Sequence, residues 1–174
     1  MITIQKPNKE DVKDIQQVFY KTWLATYPNS DIGITVEDIE ERFKNRFSEK
    51  AIQKRLDDIS NKNSDKLFLV AKDNNEVVGV CRVIKEDKLN KLEAIYVLPE
   101  FQGQGIGKMF WIEALKFWNN DKIIIVQVAS YNSNAIRFYE RLGFVDTGKR
   151  FTDENLKMPV SGILIPEMEL VIIR

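Results

Sequence analysis

One stretch constrains the fold of this 174-residue chain more than any other: Leu92 to Gly107, reading LEAIYVLPEFQGQGIG. A strand-like run, Leu92 to Val97, meets Pro99, which cannot donate to a sheet ladder and ends it. Gly103, Gly105 and Gly107 follow, and then an apolar-rich segment from Lys108 to Trp118 with helical character. A strand, a glycine-rich turn and a helix in that order make an anion site. The glycines let the backbone approach closely, and the first helical N–H groups are left without acceptors. A phosphate-bearing group is the expected occupant.

Two nucleotide motifs fail on spacing. A P-loop needs a Ser or Thr after Gly-Lys, and Gly107–Lys108 is followed by Met109. A dinucleotide fingerprint needs G-x-G-x-x-G after the first strand. Here the pattern is G-x-G-x-G, past the middle of the chain. The chain contains no histidine, which removes Ser–His–Asp triads, Cys–His pairs and His-ligated zinc. No metal is implied, and acids and bases must come from Asp, Glu, Tyr, Lys, Cys or water.

Lys plus Arg and Asp plus Glu both number 26, so no overall basic field argues for nucleic acid. The start, MITIQKPNKED, turns charged too early for a secretory segment. No apolar run approaches the roughly 18 residues of a membrane span. Cys81 is the only cysteine and has no partner for an internal disulfide. A cytoplasmic protein away from membranes is expected.

In chain order, Ile2 to Gln5 alternates as a strand, and Asn8 or Asp11 caps a helix. Val12, Ile15, Val18, Phe19 and Leu24 recur at helical spacing to about Thr26. Trp23 and Tyr27 near its end are either core packing or the wall of a cleft. After a loop to Ile34, Thr35 and Asp38 resemble a capping box for a helix with Val36, Ile39, Phe43 and Phe47 on one side. Ser48 to Ser60 is a further helix with a solvated charged face, and residues 61–66 form a loop. Leu67 to Ala71 and Val77 to Ile84 are strands joined at Asp73–Asn75, with Cys81 as a small core residue. Ile123 to Val128 is a buried strand. Asn132 or Ser133 opens a helix with Ala135, Phe138, Tyr139 and Leu142 on one face, stopped by Gly143. Phe144 to Phe151 and Ile163 to Ile173 close the chain as strands around a polar loop, Pro166 bending the last. The order specifies an α/β fold with a mixed sheet, and residues 1–174 are expected to form one domain.

Gln102 to Gly107 resembles the Q/R-x-x-G-x-G/A signature of the Gcn5-related N-acetyltransferases. AIYVLPE before it and NSNAIRFYERLGF after it are similar to the flanking family segments. The resemblance implies a mostly antiparallel central sheet of about seven strands with flanking helices, and acetyl-CoA as co-substrate. It implies that Gln102, Gly103, Gln104, Gly105, Ile106, Gly107 and Lys108 hold the coenzyme A pyrophosphate. Main-chain groups of Ile95, Tyr96 and Val97 would pair with the pantetheine arm, and Asn132 would contact the coenzyme further along. Tyr139 aligns with the tyrosine that protonates the leaving thiolate. The alternative for it is a core aromatic. Glu93, which shares a strand face with Ile95 and Val97, is either the amine's base, acting directly or through water, or a solvated carboxylate.

A phenol pKa near 10 against a thiol near 8.5 makes Tyr139 a sensible donor to the departing sulfur. The run YKTWLATYPNSDIGITVEDIEERF is similar to PaiA-type spermidine/spermine acetyltransferases, which implies a polyamine acceptor met by Trp23, Tyr27 and Asp31. Protein N-termini, lysine side chains and amine drugs are alternative acceptors. A non-catalytic coenzyme A-binding module is the rival of another class. The expected partner is a small-molecule amine, with homodimerisation left open.

Overall fold

A computed structural model describes residues 1–60, 63–118 and 121–173. Seven strands form one sheet in the order β1-β2-β3-β4-β5-β7-β6. These are β1 Thr3–Gln5, β2 Lys66–Asp73, β3 Glu76–Lys85, β4 Asn90–Val97, β5 Ile124–Ala129, β6 Val145–Lys157 and β7 Leu164–Ile172. The helices are α1 Val12–Thr26, α2 Val36–Phe43, α3 Glu49–Ser60, α4 Ile106–Trp118 and α5 Ser133–Arg141. Among the described residues, only β4 and β5 run parallel; every other neighbouring pair is antiparallel. The mixed sheet and flanking helices are those the element order predicts.

Local chemistry explains the boundaries. Asn8 caps the turn before α1, accepting from Asp11 N at 3.1 Å, while Asp11 accepts from Asn8 N and pairs with Lys72 on β2 at 2.5 Å. Asn74 and Asn75 both have positive φ, 47° and 75°, which a two-residue hairpin turn requires and asparagine tolerates. Residues 63–65 lead into β2 as expected; 61 and 62 lie outside the described residues.

Helices cover both faces of the sheet. Gly79 and Val97 sit opposite each other across β3 and β4, and a Cβ at Gly79 would lie 3.2 Å from Phe110 of α4. Tyr96, one residue along and therefore on the other face, meets Phe19 of α1 edge-on at 5.4 Å. Ile15 and Val18 of α1 are buried on one side of β3, and Phe110, Trp111, Ala114 and Trp118 of α4 on the other. Cys81 in β3 is fully buried, and burial pushes its thiol well up.

Three expectations change. Val36 and Phe47 are about half exposed, at 51% and 47%, rather than sharing the buried side with Ile39. The helix ends at Phe43 and a turn carries the chain to Ser48, so the helical period stops short of Phe47. The polar loop expected after Phe151 is largely strand, because β6 continues to Lys157. As the sheet's edge, β6 is solvated along most of its length, and its hydrophobic alternation vanishes although its backbone stays extended. Finally, β3 and β4 change register between Arg82 and Val83, opposite Ala94 and Leu92, which leaves Glu93 as a bulge.

Candidate active site

The bulge at Glu93 is where the sheet divides. β4 and β5 are paired only from Asn90↔Ile124 to Leu92↔Val126. Beyond that, β4 runs on to Val97 held by β3 alone, and β5 runs on to Ala129 held by β7 alone. The two parallel strands separate into a wedge whose inner edges carry main-chain groups with no strand beside them. Ile95, Tyr96 and Val97 lie on one edge. An extended, amide-bearing chain laid in the wedge finds a strand's worth of hydrogen-bonding groups. Gln102 reaches back from the turn and donates Nε2–H to the carbonyl of Val97 at 3.0 Å.

At the end of β4, a short 3-10 turn at Pro99–Phe101 leads into the glycines. Gly103 and Gly105 have φ of 78° and 81°, the left-handed region, with nothing within 4 Å of where a Cβ would stand. The turn is open above and needs glycine for its backbone. The helix begins with Met109 N–H donating to Gly105 C=O at 3.0 Å, so the N–H groups of Ile106, Gly107 and Lys108 precede the intrahelical ladder. Gly107 has a different reason to be glycine: a Cβ there would lie 2.9 Å from the ring of Phe138 on α5. Three free amides, a helix dipole and open glycines fit a pyrophosphate.

Tyr139 lies on α5 and Asn132 is its cap, in the segment that follows the end of β5. Tyr139 is 6% exposed, its ring between Phe138 at 5.2 Å and Phe144 at 5.6 Å. Burial pushes its phenol up, and Tyr96 and Cys81 add to that, so the group stays protonated at neutral pH. Among the described residues its hydroxyl makes no hydrogen bond. Asn132 is committed to the helix: its side chain accepts from Ala135 N at 3.1 Å as the cap of α5.

On the α1 face a cleft of about 620 Å³ opens against β4, a size suited to a small molecule. Glu93, Ala94 and Tyr96 form its floor, and Trp23, Phe19 and α2–α3 its walls. Glu93 therefore shares a face with Ala94 and Tyr96, not with Ile95 and Val97, since the bulge resets the alternation. One carboxylate oxygen of Glu93 is ion-paired with Arg82 Nε at 3.2 Å. Tyr27 is one step behind the floor, its hydroxyl 3.4 Å from that of Tyr96. Burial raises both phenols, with Glu167 contributing to each. Asp31 lies exposed on its loop and does not line the cleft.

The features that sequence reasoning missed are the cleft's cations and one carboxylate. Arg42, Arg46, Lys50, Lys54, Arg55 and Arg82 all line it; the spacing 50/54 signals one helical face but reads equally well as a solvated one, and Arg46 stands in the turn after α2, where no periodicity marks it. Glu167 on β7 is half-buried, its carboxyl raised by burial and by Asp153 and eased by Lys91. Among the described residues no group of three or more metal-ligating side chains is gathered, and no helix is long and apolar enough to cross a membrane.

Residues 17–159 match the acetyltransferase (GNAT) domain family. The chain is 28% identical over 148 residues to a spermidine N(1)-acetyltransferase of Thermoplasma acidophilum, covering 82% of this chain and 88% of that one. It is 30% identical over 101 residues to a peptidyl-lysine N-acetyltransferase of Salmonella typhimurium, covering 58% of this chain and just under two thirds, 65%, of that relative. A crystal structure of a PaiA N-acetyltransferase from Thermoplasma acidophilum in complex with coenzyme A superimposes with a TM-score of 0.74 at 22% identity. The match covers 100% of this chain and 99% of that one.

Proposed function

We infer the reaction from one premise: the chain belongs to the acetyltransferase (GNAT) family. It is an acyltransferase that moves an acetyl group from acetyl-CoA to a primary amine. The observation that carries this reading is the wedge between β4 and β5, ending at the open turn of Gly103 and Gly105.

Bound acetyl-CoA supplies an activated thioester carbonyl. The amides of Ile106 to Lys108 hold its pyrophosphate, and the free edge of Ile95 to Val97 orients its arm along β4. The cleft on the α1 face delivers the amine to the same strand, because Ala94 and Tyr96 line it. The amine must lose a proton before attack, through Glu93 directly or through water. As the C–N bond forms, the C–S bond breaks. Tyr139 gives its phenolic proton to the departing thiolate and is reprotonated from solvent. The net products are an N-acetyl amine, coenzyme A thiol and one proton. No acyl-enzyme is needed.

The finer reading, a polyamine acceptor, is supported by the Thermoplasma relative named as a spermidine acetyltransferase. A peptide lysine is supported in the same way by the Salmonella relative. The test is free-thiol release from acetyl-CoA across a panel of polyamines, peptides, amino sugars and amino acids, repeated with Tyr139→Phe. Turnover with at least one amine, lost in the variant while coenzyme binding is kept, is the expected result. Full turnover by Tyr139→Phe overturns the assigned proton donor.

A further inference from the structure

We propose that the acceptor is a small amine that also carries an anionic group, a carboxylate or a phosphate, which Arg42, Arg46, Lys50 and Lys54 receive. This rests on the acetyl-transfer reading, concerns the same cleft, and takes the place of the polyamine as acceptor. Six cationic side chains line it against a single carboxylate, Glu93. Two of the six are matched, Arg82 by Glu93 at 3.2 Å and Arg55 by Asp58 at 3.0 Å. Among the described residues, no ion pair involves the other four.

The arginines are held in place by neutral acceptors that leave their charge intact. Arg42 donates to the carbonyls of Asn155 at 2.8 Å and Lys157 at 3.2 Å. Arg46 donates to Gln17 Oε1 and the carbonyl of Phe43. Lys50 and Lys54, one turn apart on α3, are exposed and share a face. None of residues 102–108 lines the cleft, so these charges are not part of the turn that fits the pyrophosphate.

The aromatic faces that a polycation would seek are already occupied. Trp23 has Tyr27 at 4.3 Å and the Arg42 guanidinium at 4.8 Å. Arg46 lies 4.0 Å over Tyr20, and Arg55 4.6 Å over Phe19. A triply charged polyamine entering here meets like charge well inside a Debye length of about 8 Å. An anion-bearing amine satisfies the cations at one end. At the other, the positive field disfavours its ammonium form and favours the neutral nucleophile.

The test compares kcat/KM for glutamate, an acidic dipeptide and glucosamine 6-phosphate with that for glutamine, a neutral dipeptide, glucosamine and spermidine. The expected result is at least one anionic amine favoured over its neutral partner by about tenfold or more, the scale of a hydrogen bond to a charged group. The arm showing the largest ratio tells carboxylate from phosphate. The double variant Lys50→Gln/Lys54→Gln is expected to bring the ratio toward one by raising KM, and added salt to do the same. Spermidine as the best acceptor, an unchanged ratio in the variant, or an equal rise in KM for acetyl-CoA each overturns the proposal. If no amine turns over, calorimetry with coenzyme A present compares N-acetylglutamate with N-acetylspermidine. Tighter binding of the anion, lost in the variant, keeps the charge selectivity and removes the reaction. Equal or no binding of either removes the selectivity.

Discussion

The two halves of the proposed site are built on opposite principles. The donor half, from the wedge to the start of α4, is made of backbone: free strand edges, helical amides and glycines whose missing side chains leave room. The acceptor half is made of long side chains from β3, α2, α3 and the turn between the helices, meeting over a floor of β4. Main-chain groups are the same in any sequence, whereas the charge and reach of the acceptor half depend on which side chains line it.

The largest expected effect separates chemistry from binding in the donor half. Tyr139→Phe should lower kcat by roughly 10²-fold or more, the usual range for general acid catalysis, with the Kd for coenzyme A within about twofold by calorimetry. A lowered affinity instead would make Tyr139 a packing residue.

Asp38 probes the other half. It is fully buried, and its carboxylate accepts from Thr35 N at 2.9 Å, Thr35 Oγ1 at 3.0 Å, Val160 N at 3.0 Å and Ser161 N at 2.8 Å. It thereby ties the α2 wall of the cleft to the β6–β7 turn. Burial alone raises this carboxyl, but those N–H donors outweigh it and bring it down to about 2. Asp38→Asn should cost about 2 kcal/mol in urea unfolding at neutral pH. Because the folded pKa is depressed, the contribution is complete above the unfolded value of about 4 and fades as pH falls through 2. The gap between wild type and variant should close over that window; a gap constant with pH would deny the carboxylate its role.

Gly107→Ala is next, at about 1–3 kcal/mol, an overpacking cost, because its Cβ would lie 2.9 Å from Phe138. Adding Phe138→Leu should recover part of that stability, whereas no recovery would mean the helix start itself cannot accept a side chain. Smallest is Cys81: buried in β3 and with its thiol raised by burial, it should not react with a disulfide reagent in the native protein. Its titration before unfolding would show that β3 opens.

The sequence by itself determined the elements with local causes. The capping residues Asn8, Thr35 and Asn132, the Asn74–Asn75 hairpin and the glycine turn before α4 all act through groups within four residues of one another. Their spacing is their mechanism. The glycine turn belongs to this class, and its spacing in LEAIYVLPEFQGQGIG is local; the strand edges beside it come from the long-range pairing of β4 with β5. Only the tertiary structure decided the rest. It put a bulge at Glu93, turning that carboxylate from the side of Ile95 and Val97 to the side of Ala94 and Tyr96. It made the polar run after Phe151 an edge strand, and it left Asp31 outside the cleft that Trp23 enters. Above all it gathered Arg42, Arg46, Lys50, Lys54, Arg55 and Arg82 around one cavity. A chain with 26 charges of each sign states its total, and only folding sets which of them face one another.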